Sequence, residues 1–313
     1  MKNYDFIVTG GLGFIGSHMV ELLNKKGQTV LVIDKKTYAA NDDFLEYCKN
    51  DKYIDLLLED INNINFIPNC RAIFNFAAES HVDNSIESSY LTAKSNFMGV
   101  NNLLERIIKK DEGSRPLFFQ ISTDEVYGDI KNGSFKESDK LNPSNPYSAT
   151  KAAAEHLITS YGRTYGLKYL ITRSSNNFGL RQYPEKLIPR ALFCIEHNQE
   201  FPIHGDGTYI RNWLHVKDHV SAIWKLFKLY NNNNLKNEIY NISGSVSLKN
   251  IEILDMLEKV TNKKIIKNFI SNRPGQDKRY AISCDKLKNC TDWVENNSLS
   301  LRTLTEIWKD EKF

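Results

Sequence analysis

The stretch Phe6-Ile7-Val8-Thr9-Gly10-Gly11-Leu12-Gly13-Phe14-Ile15-Gly16 decides the fold. Three apolar residues read as a short buried strand, and Gly10, Gly13 and Gly16 follow it directly. A helical pattern comes next, with Met19, Val20, Leu22 and Leu23 on one face. The apolar run Thr29 to Ile33 then ends at Asp34. Strand, glycine turn, helix, strand and acid, in that order, describe a unit that binds a dinucleotide. Glycines let backbone approach a pyrophosphate, whose charge a helix N-terminus favours. Asp34 is placed to accept from ribose hydroxyls and to repel a 2′-phosphate, so NAD is expected over NADP. Lys35 and Lys36 keep NADP as the weaker alternative.

Further out, Asp55 to Glu59, Ala72 to Phe76, Leu117 to Ser122 and Tyr169 to Thr172 read as strands. Helical patterns run from about Ile86 to Lys110 and from Pro146 to about Tyr165. The expected class is α/β, a Rossmann-type doubly wound parallel sheet with a smaller C-terminal substrate-binding domain. Residues 1–175 with about 210–240 are expected to carry the dinucleotide, and 176–209 with 241–313 the second ligand. Leu248 to Val260 reads as an amphipathic helix, Thr291 to Phe313 as a helical tail, and Asn231 to Asn234 as a surface loop.

Composition excludes several functions. The formal charge is only +3, from 41 basic and 38 acidic residues, which argues against nucleic acid as a partner. No apolar stretch reaches membrane-spanning length, and Gly10, Gly11 and Gly13 break the first apolar run before it could act as a secretory leader. The five cysteines contain no CxxC pair, so they read as reduced thiols of a cytoplasmic protein. His215 and His219 lie four apart, but with no third ligand in view no metal site is expected.

Chemistry gathers at two places. Thr123, Asp124 and Glu125 follow a strand, at the edge where α/β sheets bind ligands. Adjacent carboxylates suit a reaction that both gives and takes protons, provided their pKa values are pushed apart. Tyr147 and Lys151 share one helix face, where an ammonium is expected to lower the phenol pKa. Asp60 and Ile61 close one strand beside an adenine site. Ala77 and Ala78 close the next, where small residues admit a cofactor. His81 lies just beyond them.

The motifs TGGLGFIG (9–16), DKKTYAAN (34–41), AAESHVDNSI (77–86), STDEVYG (122–128), YSATK (147–151), NNFGLRQYPEKLIP (176–189), GDGTYIRNWLHVKDH (205–219) and RPGQDKRYAI (273–282) together resemble the extended short-chain dehydrogenase/reductase family. Within it they are most similar to the dTDP-glucose 4,6-dehydratases. The resemblance implies a lyase that oxidises C4 of a nucleotide-activated glucose, eliminates water across C5 and C6 and returns the hydride to C6. Tyr147 would take the 4-hydroxyl proton, Lys151 assist it and Thr123 bind the 4-oxygen. Glu125 would take the C5 proton and Asp124 protonate the departing 6-hydroxyl. The cofactor residues expected are Gly10, Gly13, Phe14, Ile15, Gly16, Asp34, Lys35, Thr37, Asp60, Ile61, Ala77, Ala78, Ser95, Tyr147 and Lys151. The nucleotide sugar is expected on His81, Thr123, Asn177, Glu185, Lys186, Leu187, His204, Arg211, Asn241, Arg273 and Gln276. A homodimer is implied, paired through the helices near 86–110 and 147–165. The chain departs from the family at Asn212, where Asp is usual, at His204 and His215, where aromatic residues are usual, and at Gln276, where His is common. These leave the base, thymine or uracil, open. UDP-glucose as substrate and a UDP-sugar 4-epimerase are the alternatives.

Overall fold

A computed structural model describes residues 2–232 and 237–310. Asn233 and Asn234 of the expected loop, and residues 311–313 of the expected tail, lie outside the described residues. The first half runs β1 (Phe6–Thr9), α1 (Phe14–Lys25), β2 (Val30–Asp34), α2 (Asp42–Lys49), β3 (Ile54–Leu58), β4 (Ala72–Asn75), α3 (Val82–Glu87), α4 (Ser89–Ala93), α5 (Gly99–Ile108), β5 (Leu117–Thr123), α6 (Pro146–Tyr165) and β6 (Tyr169–Ser174). The second runs β7 (Asn176–Phe178), α7 (Leu187–Glu196), β8 (Glu200–His204), β9 (Ile210–His215), α8 (Val216–Asn231), β10 (Glu238–Ile242), β11 (Val246–Lys249), α9 (Asn250–Thr261), β12 (Ile266–Ile270), α10 (Asp285–Cys290) and α11 (Leu301–Asp310).

Seven parallel strands form one sheet in the order β10-β6-β5-β4-β1-β2-β3. Near-continuous apolar runs suit strands covered on both faces. Successive side chains alternate between two cores. Phe6, Val8, Val32 and Phe74 pack on the side of α1 and α8, with Phe227. Ile7, Ile33, Ile73 and Phe118 pack on the other side against Val100, Leu104 and Ile158 of α5 and α6. Strand order reverses between β1 and β4, which is where such sheets open a ligand crevice. A third core joins α7, α9 and α11 to β8 through Leu192, Ile203, Leu254 and Leu304. Two small sheets, β11-β9-β7 and β12-β8, connect this unit to the large one.

Three expectations about helices change. The helix from Ile86 to Lys110 is broken at Ser88, which is extended (φ −142°, ψ 81°), and widens into a π-type turn at Lys94–Met98. The buried Asn96 sits in that turn and exchanges hydrogen bonds with the Glu79 backbone (2.8 and 2.9 Å), so the chain bends to deliver it. The expected helix from Leu248 starts at Asn250, because Val246–Lys249 pairs antiparallel with β9. The tail from Thr291 is helical only over Leu301–Asp310. Upstream of it, the Asn296 and Asn297 amides are drawn to the Asp218 carboxylate (3.1 and 2.7 Å) instead of to a helical ladder. Among the described residues no helix is long and apolar enough to cross a membrane.

Candidate active site

Every residue expected to hold the cofactor lines a single cavity of about 320 Å³ over the switch point. Its floor is the glycine turn. Gly10 has φ +67°, and a Cβ there would sit 2.6 Å from the Ala77 amide. A Cβ on Gly16 would meet the Gly10 carbonyl at 2.1 Å, so α1 can start this close to β1 only with glycine. Gly13 caps α1 without a capping side chain, and the first turn carries no acid. That leaves the helix amides open to an anion in the cavity. Across the cavity Asp34 accepts from the Leu12 and Lys36 amides (3.0 and 2.8 Å). Lys35 reaches Ser95 (3.0 Å) and Asp60 (3.8 Å). An uncapped helix end, a carboxylate at the end of β2 and a lining of small residues fit NAD.

At the far end of this cavity β5 delivers the catalytic candidates. Thr123 caps a short 3₁₀ turn, Asp124–Tyr127, through its hydroxyl, which accepts from the Glu125 amide (3.3 Å). The turn aims both acids inward. Burial pushes the Asp124 carboxyl up to about 8, and the neighbouring Glu125 charge adds to this. Its Oδ2 is buried without a partner, so a proton there can be handed on. Burial also raises Glu125, while Arg211 and a long bond from Asn145 (3.5 Å) act in the other direction. Burial thus raises both carboxyls and Arg211 acts against it at each, so both acids hold protons more tightly than exposed ones would.

Asp124 makes stability depend on pH. The native carboxyl keeps its proton up to about 8, whereas an unfolded one loses it near 3.8. Between those values the folded chain holds the extra proton, so stability falls as pH rises. Asp124→Asn removes that slope. We expect its melting temperature to exceed the parent's by at least about 2–4 °C at pH 8, the shift that one kcal/mol gives, and the two to converge near pH 4. Parallel curves from pH 4 to 8 would show that Asp124 ionises normally.

Tyr147 and Lys151 stand side by side on α6, both buried. The expected depression of the phenol pKa is not found. Burial, then Glu125 and Asp124, push Tyr147 above its ordinary value, and only the Thr123 hydroxyl opposes them. Lys151 instead donates to the Ile121 carbonyl (2.7 Å), and burial brings it down to about 8. Its charge is directed along β5 and not at the phenol.

A second cavity, of about 750 Å³, adjoins the first. Ser80, Glu125, Asn176, Tyr183, Glu185 and Lys186 line both. His81, Leu187, His204, Arg211, Arg273 and Gln276 line only the second. Arg273 Nε faces Asp83 (2.9 Å) and His204 Nε2 (3.1 Å), and His204 Nδ1 meets the Ser271 carbonyl (3.1 Å). Arg211 donates from Nη1 to the Ile210 and Lys278 carbonyls and from Nη2 to the Asp277 carbonyl, with its guanidinium over the Tyr280 ring (4.1 Å). Asn177 borders the first cavity only, and its side chain is engaged by Ser175 and His219.

Asn241 is a correction. It lies in β10, fully buried, and lines neither cavity. Its Oδ1 accepts from the Tyr127 hydroxyl (2.9 Å) and its amide donates to the Phe135 carbonyl (3.2 Å), which hold the side chain away from both cavities. Sequence reasoning also missed Tyr183, Arg190, Asn145 and Tyr38. Tyr38 donates to Glu185 across 147 positions (2.9 Å), a contact with no local signature.

The comparisons agree with this geometry. The family model described as GDP-mannose 4,6 dehydratase matches residues 7–305. The low-salt glycan biosynthesis protein Agl12 of Haloferax volcanii is 40% identical, covering 91% of both chains. The dTDP-glucose 4,6-dehydratase of Haemophilus influenzae is 38% identical, covering 92% of both. Among solved structures, the dTDP-glucose 4,6-dehydratase of Streptomyces venezuelae with NAD bound superposes with a TM-score of 0.90 at 34% identity, covering 97% of this chain and 95% of that one. A UDP-glucuronic acid 4-epimerase of Bacillus cereus scores 0.89 at 26% identity, covering 97% and 98%. With its extended short-chain dehydrogenase/reductase fold and these matches over nearly its whole length, the chain belongs to the GDP-mannose 4,6 dehydratase family.

Proposed function

We infer that the protein is an NAD-dependent 4,6-dehydratase acting on dTDP-glucose. One observation carries this reading. A protonatable Asp124 and an adjacent Glu125 meet where the two cavities join, and Glu125 borders both. A simple 4-epimerase has no use for that pair. NAD, when bound, would supply the hydride acceptor for C4 and the hydride donor for C6. Tyr147 takes the 4-hydroxyl proton, and Thr123 holds the developing 4-oxygen. The ketone acidifies C5, Glu125 removes that proton, and Asp124 protonates the leaving 6-hydroxyl. Burial of all these groups strengthens each electrostatic contact. Lys151 orients the ribose side of the cofactor, and Asp34 its adenosine ribose. Glu185, Lys186 and Leu187 flank the sugar. Arg211 and Arg273 suit a diphosphate, for which guanidinium forks are apt. His204 and Gln276 face the base, and His81 lines the same cavity.

The division of labour is supported by the cores. Residues 1–175 and α8 serve the dinucleotide side, and 176–209 with most of 241–313 the nucleotide sugar. Part of β10, together with Cys284, Leu287 and Trp293, joins the first core. The cytoplasm is the proposed location, supported by five cysteines without disulfides.

The test is incubation with dTDP-glucose, followed by the alkali-dependent absorbance of a 4-keto-6-deoxy sugar. Faster turnover of UDP-glucose would reassign the base, and a galactose-configured product would indicate epimerisation.

A homodimer is also proposed. Tyr90, Leu91 and Met98 are more than half exposed on α4 and the turn after it, beside α6. Burying one leucine contributes about 1.5–3 kcal/mol. Leu91→Asp should therefore weaken association at least about tenfold by light scattering. A parent protein that is already monomeric at micromolar concentration would remove this proposal.

A further inference from the structure

Behind the catalytic turn lies a charged network that touches neither cavity. Arg173 in β6 and Glu155 in α6 are 3% and 2% exposed. Arg173 donates from Nε to both Glu155 oxygens (3.2 and 3.0 Å) and from Nη2 to one of them (2.6 Å). Its Nη1 donates to the Tyr127 hydroxyl (2.6 Å) and the Glu137 carbonyl (3.3 Å). The Tyr127 hydroxyl in turn donates to Asn241 Oδ1, and its ring stacks on Phe135 with centroids 5.0 Å apart. None of these residues lines a ligand cavity.

Placement gives the network its meaning. Tyr127 ends the short turn that Asp124 and Glu125 begin. Arg173 pairs in register with Ser122, one residue before Thr123. Glu155 stands one helical turn beyond Lys151, on the same face of α6, and two turns beyond Tyr147. A buried ion pair is weak evidence for stability, since apolar replacements of equal volume are often as stable. Its better-attested use is to select one arrangement. Without the Arg173 fork, Glu155 would be an unpaired buried carboxylate one helical turn from Lys151. Without its hydroxyl partners, Tyr127 would leave the turn free to rotate both acids.

We propose that Arg173 and Glu155 are positioning residues that fix Tyr127 at the end of the catalytic turn and hold Lys151 on the Ile121 carbonyl. The kinetic part rests on the dehydratase reading, and the Lys151 part does not. Misplacement of about 1 Å can cost on the order of a hundredfold in rate.

The test uses two variants. Tyr127→Phe removes one hydroxyl, and Arg173→Met with Glu155→Leu replaces the pair by apolar side chains of similar volume. Three quantities are read: thermal unfolding, kcat and KM for dTDP-glucose, and the titration of Lys151 in the unliganded protein by NMR of ¹³C-labelled lysine. In the double variant, kcat should fall about 10- to 100-fold with KM changed by less than about threefold. Its Lys151 titration should move to lower pH, because the Glu155 charge that supports the ammonium is gone. Tyr127→Phe should lower kcat several-fold and leave Lys151 unmoved. A folded double variant with parental kcat and parental Lys151 titration overturns the proposal. If the double variant does not fold, a Tyr127→Phe protein with parental kcat overturns it. If the parent does not turn over dTDP-glucose, the dehydratase reading fails, and the Lys151 titration alone decides.

Discussion

Replacing Glu125 by Gln lowers the turnover of dTDP-glucose by roughly 10²- to 10⁴-fold, the usual contribution of a positioned general base. Gln keeps the size of the side chain and can still meet Asn145, so KM should stay within about threefold. It cannot accept the C5 proton. The substitution also predicts a change with pH. Burial raises Glu125 above its ordinary 4.5, so the acid limb of kcat in the parent lies above that value. Protonation through that range removes the base, and the limb should vanish from the residual activity of the variant. The alkali-dependent absorbance of the product measures both effects. A loss below about tenfold would move the base to another residue.

Tyr147→Phe should cost a comparable roughly 10²- to 10⁴-fold, because it deletes the group that takes the 4-hydroxyl proton. The phenol is held above its ordinary pKa by burial and by the two acids in front of it. An Asp124 that keeps its proton up to about 8 removes one of those charges at neutral pH. The two acids thus act on the first step as well as the second. Melting temperature should change little, since Phe fills the same volume and the backbone amide keeps its contact with Ser85 (3.3 Å). Turnover within tenfold of the parent would exclude Tyr147 as the base.

Much of this site is written locally in the chain. The glycine turn, the acid that ends β2 and the Tyr147/Lys151 spacing are short-range patterns, and short-range patterns survive as geometry when the flanking strands are strongly apolar. All the cofactor residues read from them share one cavity. What is set by distant contacts could not be read. Lys151 has Ile121 as its partner, 30 positions away, so helical spacing alone suggested the wrong target for its charge. Asn241 resembles a ligand-facing amide in sequence, yet its strand turns it towards Tyr127. The turn at Asn96 follows from hydrogen bonds to Glu79, not from helix propensity. β8 and β12 pair in parallel across 61 intervening residues and show no shared pattern.

The most direct measurement follows the C4 hydrogen. The protein is given dTDP-glucose carrying deuterium at C4, and the product is examined by mass spectrometry and NMR. Elimination by Asp124 and Glu125 between two internal hydrogen transfers places the label on the new C6 methyl group. Deuterium kept at C4 with an intact 6-hydroxyl, or a product without water loss, contradicts the dehydratase assignment.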